Sequence, residues 1–389
     1  MAKDSFFNAS EIKALTGHNG GNIWAVADAE GLRLCPFVDK QGKVLRVLPP
    51  LNVRVAPGKY SVEDTQRLIS SCANVLDFSK AEVVVHDIVP YLVVGKKEFR
   101  MVSLEVSEER YAFRHDSYQG TVTLTPDDVE RVKRVGLVCS DDTVRLFLNG
   151  VYLDREGPVV ATDGRRLAWH EGSAPAGLAQ FINAGKGGND LIIPRWVLPF
   201  MRDGAFAEIS WGFEFYKPEV EDFEPEWCQW GWQRLRTGTE EYLFTGISGK
   251  FPSWRKVCPE WTASDFERVV FDFKGLSAYK KSGPSDPGRV CFRDGGCFQM
   301  YKDEIELSLG VKFPSLPDGV ELWACVFFLQ DCVKLFGPKV MVDVALPDAF
   351  IPDNPDASKC IVRAFEIREA GGATGHPLLH YICMPLNRF

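Results

Sequence analysis

The chain has 389 residues, 45% hydrophobic and 25% charged, an ordinary globular composition with enough apolar material for two or three domains. No run approaches the ~18 consecutive apolar residues of a membrane span, and Met1–Ser5 opens no signal peptide, so we expect a soluble, cytoplasmic protein with no membrane partner. The formal net charge of -8 argues against a protein that coats nucleic acid by bulk attraction, but it allows one that confines positive charge to a single lining.

The 11 cysteines favour free thiols in a reducing compartment over disulfides or a metal site. The closest pairs are Cys291 with Cys297 and Cys325 with Cys332, and both are wider than the ~2–4 residue intervals of zinc sites. The histidines form no companion motif. We therefore expect neither a metal nor a cofactor.

Residues 1–118 predict a first β-rich domain that contains one long amphipathic helix. The capping signal Ser61–Asp64 begins this helix, which continues to Leu76 with Arg67 on its polar face. Strands are expected over 23–35, 44–55, 82–85, 91–94 and 99–106.

A second region, 119–257, opens with a strong helix start. Thr125 is a cap, Pro126 stands at the first helical position, and acidic residues follow at the positive end of the helix dipole. Arg131 and Arg134 fall outside the apolar stripe of this helix. A second, short helix is expected from Ile192, shortened by Pro199.

Between these helices the chain predicts a β-hairpin. Residues 146–153 approximate the alternation of a half-buried strand, and 155–158 is a turn signal. A second strand begins at Val159 and is interrupted at 162–164 before two adjacent arginines.

A stretch rich in both acidic and aromatic residues lies between Trp211 and Trp232. It could be a surface that binds sugars or a partner, but an extended hairpin on the outside of a sheet is the favoured interpretation. Its acidity argues against contact with DNA phosphates.

The third region, 258–389, restarts the pattern of the second. Asp265–Val269 nearly repeats Asp128–Val132, at a spacing far longer than the ~20–50 residues of a solenoid unit, and apolar residues continue at helical spacing to Leu276. A further helix is expected over 328–336, and a final strand over 378–383. The repeat indicates one domain fold used three times, with two helices in each copy.

Three stretches of this sequence resemble the bacterial DNA sliding clamp, the beta subunit of the replicative polymerase. They are L-N-G followed by A-T-D-G-R-R-L-A in the hairpin, G-K-F-P-S-W-R-K-V-C-P from Gly249 to Pro259, and Y-I-C-M-P-L from Tyr381 to Leu386. The resemblance implies an α+β fold of three clamp-type domains (1–118, 119–257 and 258–389), each with two helices packed on antiparallel sheets. It further implies that two chains close into a ring as a homodimer.

The resemblance also implies a pocket for short peptides of polymerases and of the clamp loader. Asp163 is excluded from this pocket as an ordinary turn residue. Arg165 stands where the family commonly has histidine, and Lys256 where it has arginine. The positions implied for the pocket are Leu148, Thr162, Gly164, Arg165, Arg166, Leu167, Pro252, Lys256, Val257, Ile382, Cys383, Met384, Pro385 and Leu386.

Encircled duplex DNA would be held without reading its sequence, through sparse contacts from exposed helix faces to phosphates. The repeat aligns Arg67, Arg131 and Arg268 on such faces. The full set of expected DNA-facing residues is Arg67, Arg131, Arg134, Arg268, Lys274 and Lys281.

Two other functions compete with a non-enzymatic processivity clamp. A hydrolase is disfavoured, because Gly185–Gly188 lacks the spacing of a phosphate-binding loop and no nucleophile motif is present. A β-rich binding module acting through residues 211–232 is the second alternative. The clamp, which tethers a DNA polymerase for processive synthesis, is the function the sequence favours.

Overall fold

The protein separates into two compact units. Unit 1 comprises Met1–Val129, Ala179–Gly187 and Trp196–Gly246, and unit 2 comprises Glu130–Leu178, Gly188–Arg195 and Ile247–Phe389. The predicted middle region therefore contributes to both units, and the division into three domains stays a prediction. The computed structural model describes residues 23–28, 31–35, 43–47, 51, 58–64, 81–103, 120–184, 190–211, 213–215, 228–230, 232–247, 249–258, 266–279, 288–293, 296–301, 304–312, 316, 321–337, 339–345, 365–369 and 379–384.

Antiparallel β-structure dominates the described residues, as predicted. The strands are β1 (Ile23–Asp28), β2 (Gly31–Cys35), β3 (Val44–Val47), β4 (Gly58–Val62), β5 (Ala81–His86), β6 (Val89–Val94), β7 (Lys97–Ser103), β8 (Gly120–Leu124), β9 (Gly150–Leu153), β10 (Val159–Thr162), β11 (Arg166–His170), β12 (Leu191–Pro194), β13 (Ala207–Trp211), β14 (Phe213–Phe215), β15 (Cys228–Trp230), β16 (Trp232–Thr237), β17 (Glu240–Thr245), β18 (Phe266–Asp272), β19 (Arg289–Arg293), β20 (Gly296–Tyr301), β21 (Glu304–Lys312), β22 (Leu322–Cys325), β23 (Lys339–Ala345), β24 (Phe365–Glu369) and β25 (Leu379–Cys383).

The described residues also contain three α-helices: α1 (Pro126–Val135), α2 (Leu178–Ala184) and α3 (Val326–Phe336). The predicted start of α1 is confirmed, because the Asp128 carboxylate accepts hydrogen bonds from the Thr125 amide (2.9 Å) and hydroxyl (2.7 Å). The prediction of α3 is confirmed as well, whereas α2 was not predicted. No helix among the described residues has the length and apolarity needed to cross a membrane.

Unit 1 contains two larger sheets, of six strands in the order β2-β1-β4-β7-β6-β5 and of five strands in the order β3-β17-β16-β13-β8. In the second sheet β3 pairs with β17, so the sheet continues across the predicted domain boundary at residue 118. Trp211 is fully buried in this sheet, and a Cβ at Gly120 would lie 2.5 Å from its indole ring. The backbone can therefore approach this ring only at glycine.

Unit 2 contains an eight-stranded sheet in the order β12-β9-β10-β11-β25-β24-β23-β18 and a four-stranded sheet in the order β21-β20-β19-β22. In the larger sheet β11 pairs with β25 over five residues, so this sheet also crosses a predicted domain boundary, the one at residue 257. The junction brings residues more than 200 positions apart, Arg166 and Cys383, into register.

Two predicted helices are wrong. Residues 266–272 form the strand β18, which pairs with β23 at all seven positions, and only a 3-10 turn follows at 273–278. Residues 191–194 form the edge strand β12, and Pro199 lies in a short 3-10 turn at 198–200. The helix predicted from Ser61 falls mostly on residues outside the described ranges, and Val62 itself ends the strand β4.

The predicted hairpin of residues 146–170 is a three-stranded meander. Residues 146–148 form a 3-10 turn, and β9, β10 and β11 follow in antiparallel order. The extended hairpin predicted around 211–232 is confirmed, since β13 pairs with β16 and β14 with β15 beyond them. Its tip, 216–227, lies outside the described residues, and so does most of the alternative binding surface.

Candidate functional site

The three stretches that carry the resemblance meet in unit 2. Strand β11 pairs with β25, and the Met384 amide continues the ladder by donating to the Arg165 carbonyl at 3.0 Å. The centroid of the Trp169 ring in β11 lies 4.4 Å from that of the His380 ring in β25. It lies 5.5 Å from the centroid of the Trp254 ring in the segment 249–258. Hairpin, middle segment and C-terminal strand therefore form one site.

The turn between β10 and β11 is built by its own side chains. The Asp163 carboxylate accepts from the amides of Arg165 (2.8 Å) and Arg166 (3.0 Å), which confirms that Asp163 is a turn residue. The Thr162 hydroxyl donates to the Arg166 carbonyl at 2.6 Å and accepts from the Gly164 amide at 3.0 Å. Gly164 has φ +88°, a conformation that favours glycine.

Arg145 fills the space above Gly164. A Cβ at Gly164 would lie 2.8 Å from the Arg145 Nη1 atom, and Arg145 also pairs with Asp142 at 2.8 Å. The Arg145 guanidinium therefore lies beside Gly164, which is itself exposed, and the approach of a peptide backbone at Gly164 stays a prediction.

Arg166 is committed to carboxylates within the protein. Its guanidinium pairs with Asp163 at 3.0 Å and with Asp331 of helix α3, and it lies 4.6 Å from the Phe328 ring. The side chain is only 14% exposed. The expectation that Arg166 holds acidic groups at a rim is therefore wrong, because the two carboxylates already neutralise its charge.

Asp154 anchors the 3-10 turn Trp254–Val257 to the hairpin. Its carboxylate accepts from the Trp254 indole at 2.8 Å and from Arg255 at 2.6 Å. Burial by itself raises the pKa of this carboxyl, but hydrogen bonds from the Glu156 amide and these two side chains outweigh burial. The net pKa of Asp154 therefore lies below its usual value, and the ionised form is favoured.

The described pocket residues include a buried and an exposed set, while Thr162 and Arg166 are intermediate. Leu148, Leu167, Ile382 and Cys383 are at most 4% exposed, so they support the site from within. Val257 and Met384, in contrast, are 64% and 46% exposed. Pro385 and Leu386 lie outside the described residues. The exposed residues of the site are Gly164, Arg165, Pro252, Lys256, Val257 and Met384.

Strand β25 attaches the C-terminal region to the core. The Tyr381 hydroxyl donates to the Phe328 carbonyl of α3 at 2.9 Å, and Cys383 is fully buried. Burial raises the pKa of both the Tyr381 hydroxyl and the Cys383 thiol, so both stay neutral. Cys383 therefore belongs to the core beneath the site.

The predicted DNA-facing role of Arg131 is wrong, because Arg131 is not on an exposed helix face. It is 9% exposed, and its guanidinium donates to the carbonyls of Glu171 (3.1 Å) and Ser173 (3.2 Å) and more weakly to that of Gly157 (3.4 Å). A Cβ at Gly172 would collide with this guanidinium, so a larger residue there would force the Arg131 side chain to move.

The other expected DNA-facing residues have different surroundings. Arg134 is also not on an exposed face, because it donates to the Leu335 carbonyl at the end of α3 (2.6 Å) and pairs with Glu369 (3.5 Å). Arg268 is 57% exposed on β18 and pairs with Asp343 at 2.8 Å, so its expected position on a helix is wrong. Lys274 lies in the turn 273–278, whereas Arg67 and Lys281 fall outside the described residues.

Three residues that organise the site were not predicted: Arg145, Asp154 and Asp331. A sequence signal existed for Asp331, because a carboxylate inside the mostly apolar run V-F-F-L-Q-D-C-V needs a cationic partner when it is buried. The partner itself is 165 positions away, and the sequence gives no sign of that pairing.

No known protein-family profile matches the chain, and no curated protein sequence matches it. Solved structures do. The chain is similar to the DNA polymerase sliding clamp of Pseudomonas aeruginosa crystallised with a ligand, with a TM-score of 0.63 and 18% identity over 97% of this chain and 96% of that one.

Two further clamps have comparable similarity. The sliding clamp of Bartonella birtlesii, bound to griselimycin, has a TM-score of 0.61 and 16% identity over 98% of this chain and 93% of that one. The clamp of Caulobacter crescentus has a TM-score of 0.59 and 17% identity over 97% and 98%. The likeness is one of fold: the chain has the fold of bacterial DNA polymerase sliding clamps.

Proposed function

We propose that this protein is a non-enzymatic DNA sliding clamp of the cytoplasm, a ring-shaped homodimer that encircles duplex DNA and tethers a DNA polymerase for processive synthesis. The observation that carries the proposal is the clamp fold over 97% of the chain. The meeting of the hairpin, the segment 249–258 and strand β25 supports it independently, because each of these stretches resembles the clamp family by sequence.

The surface around Met384 and Val257 is the proposed docking site for the polymerase and the clamp loader. Both side chains are exposed next to a rigid framework, in which Arg166, Asp331 and Asp154 fix the turn, helix α3 and the middle segment to one another. Exposed apolar side chains on a well-fixed framework are a common feature of peptide-binding surfaces.

Two sheet edges are suited to dimer formation. Strand β5 is an edge of the six-stranded sheet, and its residue Val85 is 62% exposed to solvent. Strand β18 is an edge of the eight-stranded sheet, and its residue Val270 is 49% exposed. Unprotected apolar edges favour pairing with another chain. We propose that β5 of one copy pairs with β18 of the other, and that Val85→Lys yields a monomer in sedimentation analysis.

Contacts with the encircled DNA would be few and directed to phosphates. Arg131 and Arg134 are engaged within the protein, so the proposed lining rests on Arg67, Lys274, Lys281 and Arg268. Arg268 would have to exchange its pairing with Asp343 for a phosphate. Such a lining predicts weak, salt-sensitive association with open DNA fragments.

Topological retention on DNA tests the function directly. The protein is loaded onto nicked circular duplex DNA by a clamp loader, purified with that DNA, and the DNA is then cut once. A sliding clamp leaves the linear DNA but stays on the circle, at a mass twice that of the chain. Retention on the cut DNA would refute the proposal, because it would indicate binding by ordinary affinity.

A further inference from the structure

The junction of β11 and β25 presents two different faces. Side chains alternate along a strand, and residues directly opposite each other in an antiparallel pair share a face. Leu167 is opposite Ile382 and Trp169 is opposite His380, so these four residues lie on one face. The Met384 amide bonds to the Arg165 carbonyl, which extends the same register by one more pair to Arg165 and Met384.

The turn Trp254–Val257 covers one end of this face and helix α3 covers the opposite face. Trp254 contacts Trp169, whereas Arg166 and Tyr381 reach α3 from the other side. Arg165 and Met384 therefore lie on the side of the sheet that carries Lys256 and Val257. We call these four exposed residues the cationic-apolar patch.

No carboxylate of the described residues neutralises the charge of this patch. Neither the Arg165 guanidinium nor the Lys256 ammonium pairs with a carboxylate in the part of the chain that the structure describes. Their neighbours Arg166 and Arg255, by contrast, are both held by aspartates. Among the described residues of this patch, the cations available to a partner are consequently Arg165 and Lys256.

We propose that the cationic-apolar patch selects client peptides in which an acidic side chain or a C-terminal carboxylate stands beside an apolar anchor, and that Arg165 is the main determinant of this preference. The inference rests on the proposed docking function and specifies its ligand class. The anchor packs against Met384 and Val257, while the carboxylate accepts hydrogen bonds from the guanidinium, whose planar fork matches a carboxylate.

Selection from a random peptide library displayed on phage tests this proposal with the full-length chain. Enriched peptides are synthesised in pairs that differ only by Asp versus Asn, and their affinities are measured by fluorescence anisotropy at about 0.1 M salt, where the Debye length is ~10 Å. We expect enrichment of Asp or Glu and an affinity about fivefold higher for the acidic member of each pair, the size of effect typical of a partly exposed charge pair.

Two substitutions of exposed arginines show whether the preference for acidic peptides depends on Arg165. Arg165→Gln should abolish the difference in affinity between the Asp and Asn peptides. Arg155→Gln is the control: Arg155 is an exposed arginine in the turn at the opposite end of β10. Met384→Ala should weaken both peptides of a pair equally.

Three outcomes are distinguishable. Loss of the acid preference in Arg165→Gln alone supports the proposal. Peptides that bind in a Met384-dependent manner but show no acid preference overturn it, while the docking function stands. If no enriched peptide depends on Met384 or Val257, the docking surface itself is refuted, and the acid preference with it.

Discussion

Two nearly identical sequences in this protein adopt different secondary structures. Asp128–Val132 reads D-V-E-R-V and lies in helix α1. Asp265–Val269 reads D-F-E-R-V, and its residues from Phe266 onward lie in strand β18. The arginines of the two sequences also differ in their burial and in their partners. Arg131 is buried against backbone carbonyls, and Arg268 is exposed beside a single aspartate.

The difference follows from what surrounds each motif. The first is preceded by Thr125 and Pro126, and the Thr125–Asp128 hydrogen bonds close the first turn of a helix. The second lacks a proline at that place, and β23 offers a partner at seven consecutive positions. Phenylalanine and valine suit a half-buried strand, so pairing overrides helical spacing.

Of the substitutions in the two motifs, Arg131→Met should cause the largest loss in the free energy of unfolding. The substitution leaves the carbonyls of Glu171 and Ser173 without their buried donor, so we expect a loss of about 3 kcal/mol in the free energy of unfolding. Urea unfolding followed by tryptophan fluorescence measures it. A change below about 1 kcal/mol would show that water replaces the arginine at little cost.

Gly172→Ala should destabilise by about 2 kcal/mol, because the added Cβ runs into the Arg131 guanidinium. A double-mutant cycle provides the control. In the Arg131→Met background the cost should fall by at least half, since the colliding group is gone. Equal costs in both backgrounds would mean that the loop requires glycine for another reason.

Asp128→Ala should cost about 1 kcal/mol, the usual value for the loss of a helix cap. Asp127→Ala is the matched control, because Asp127 is an exposed acid in the same turn and contributes only through the helix dipole, ~0.3–1 kcal/mol. Urea unfolding compares the two. A larger loss for Asp127 would contradict the capping geometry.

Arg268→Met should have the smallest effect and leave the urea midpoint unchanged within error. The arginine is 57% exposed, and Asp343 keeps a second cationic neighbour, Arg368, at 3.7 Å. A destabilisation as large as that of Arg131→Met would contradict the claim that Arg131 contributes more to stability than Arg268.

The stretches that form the candidate site were identified from the sequence, whereas the contacts in its interior were not. Hairpin, middle segment and C-terminal strand were all identified by resemblance. Met384, Val257, Lys256 and Arg165 are exposed, and their role in a peptide pocket stays a prediction. The roles of Arg166, Cys383 and Arg131 were misjudged, because each depends on partners remote in sequence. A pattern of residue types reports which side chains are polar, and it does not report which carboxylates or carbonyls they will meet.

Short-range chemistry by itself determined the cap of α1, the turn around Asp163, the apolar helix α3 and the alternation of most strands. These features rest on contacts between residues a few positions apart, which the sequence displays directly. Only the tertiary structure decided that residues 266–272 form a strand and that β11 joins β25, because the free energy of these pairings comes from segments far away along the chain.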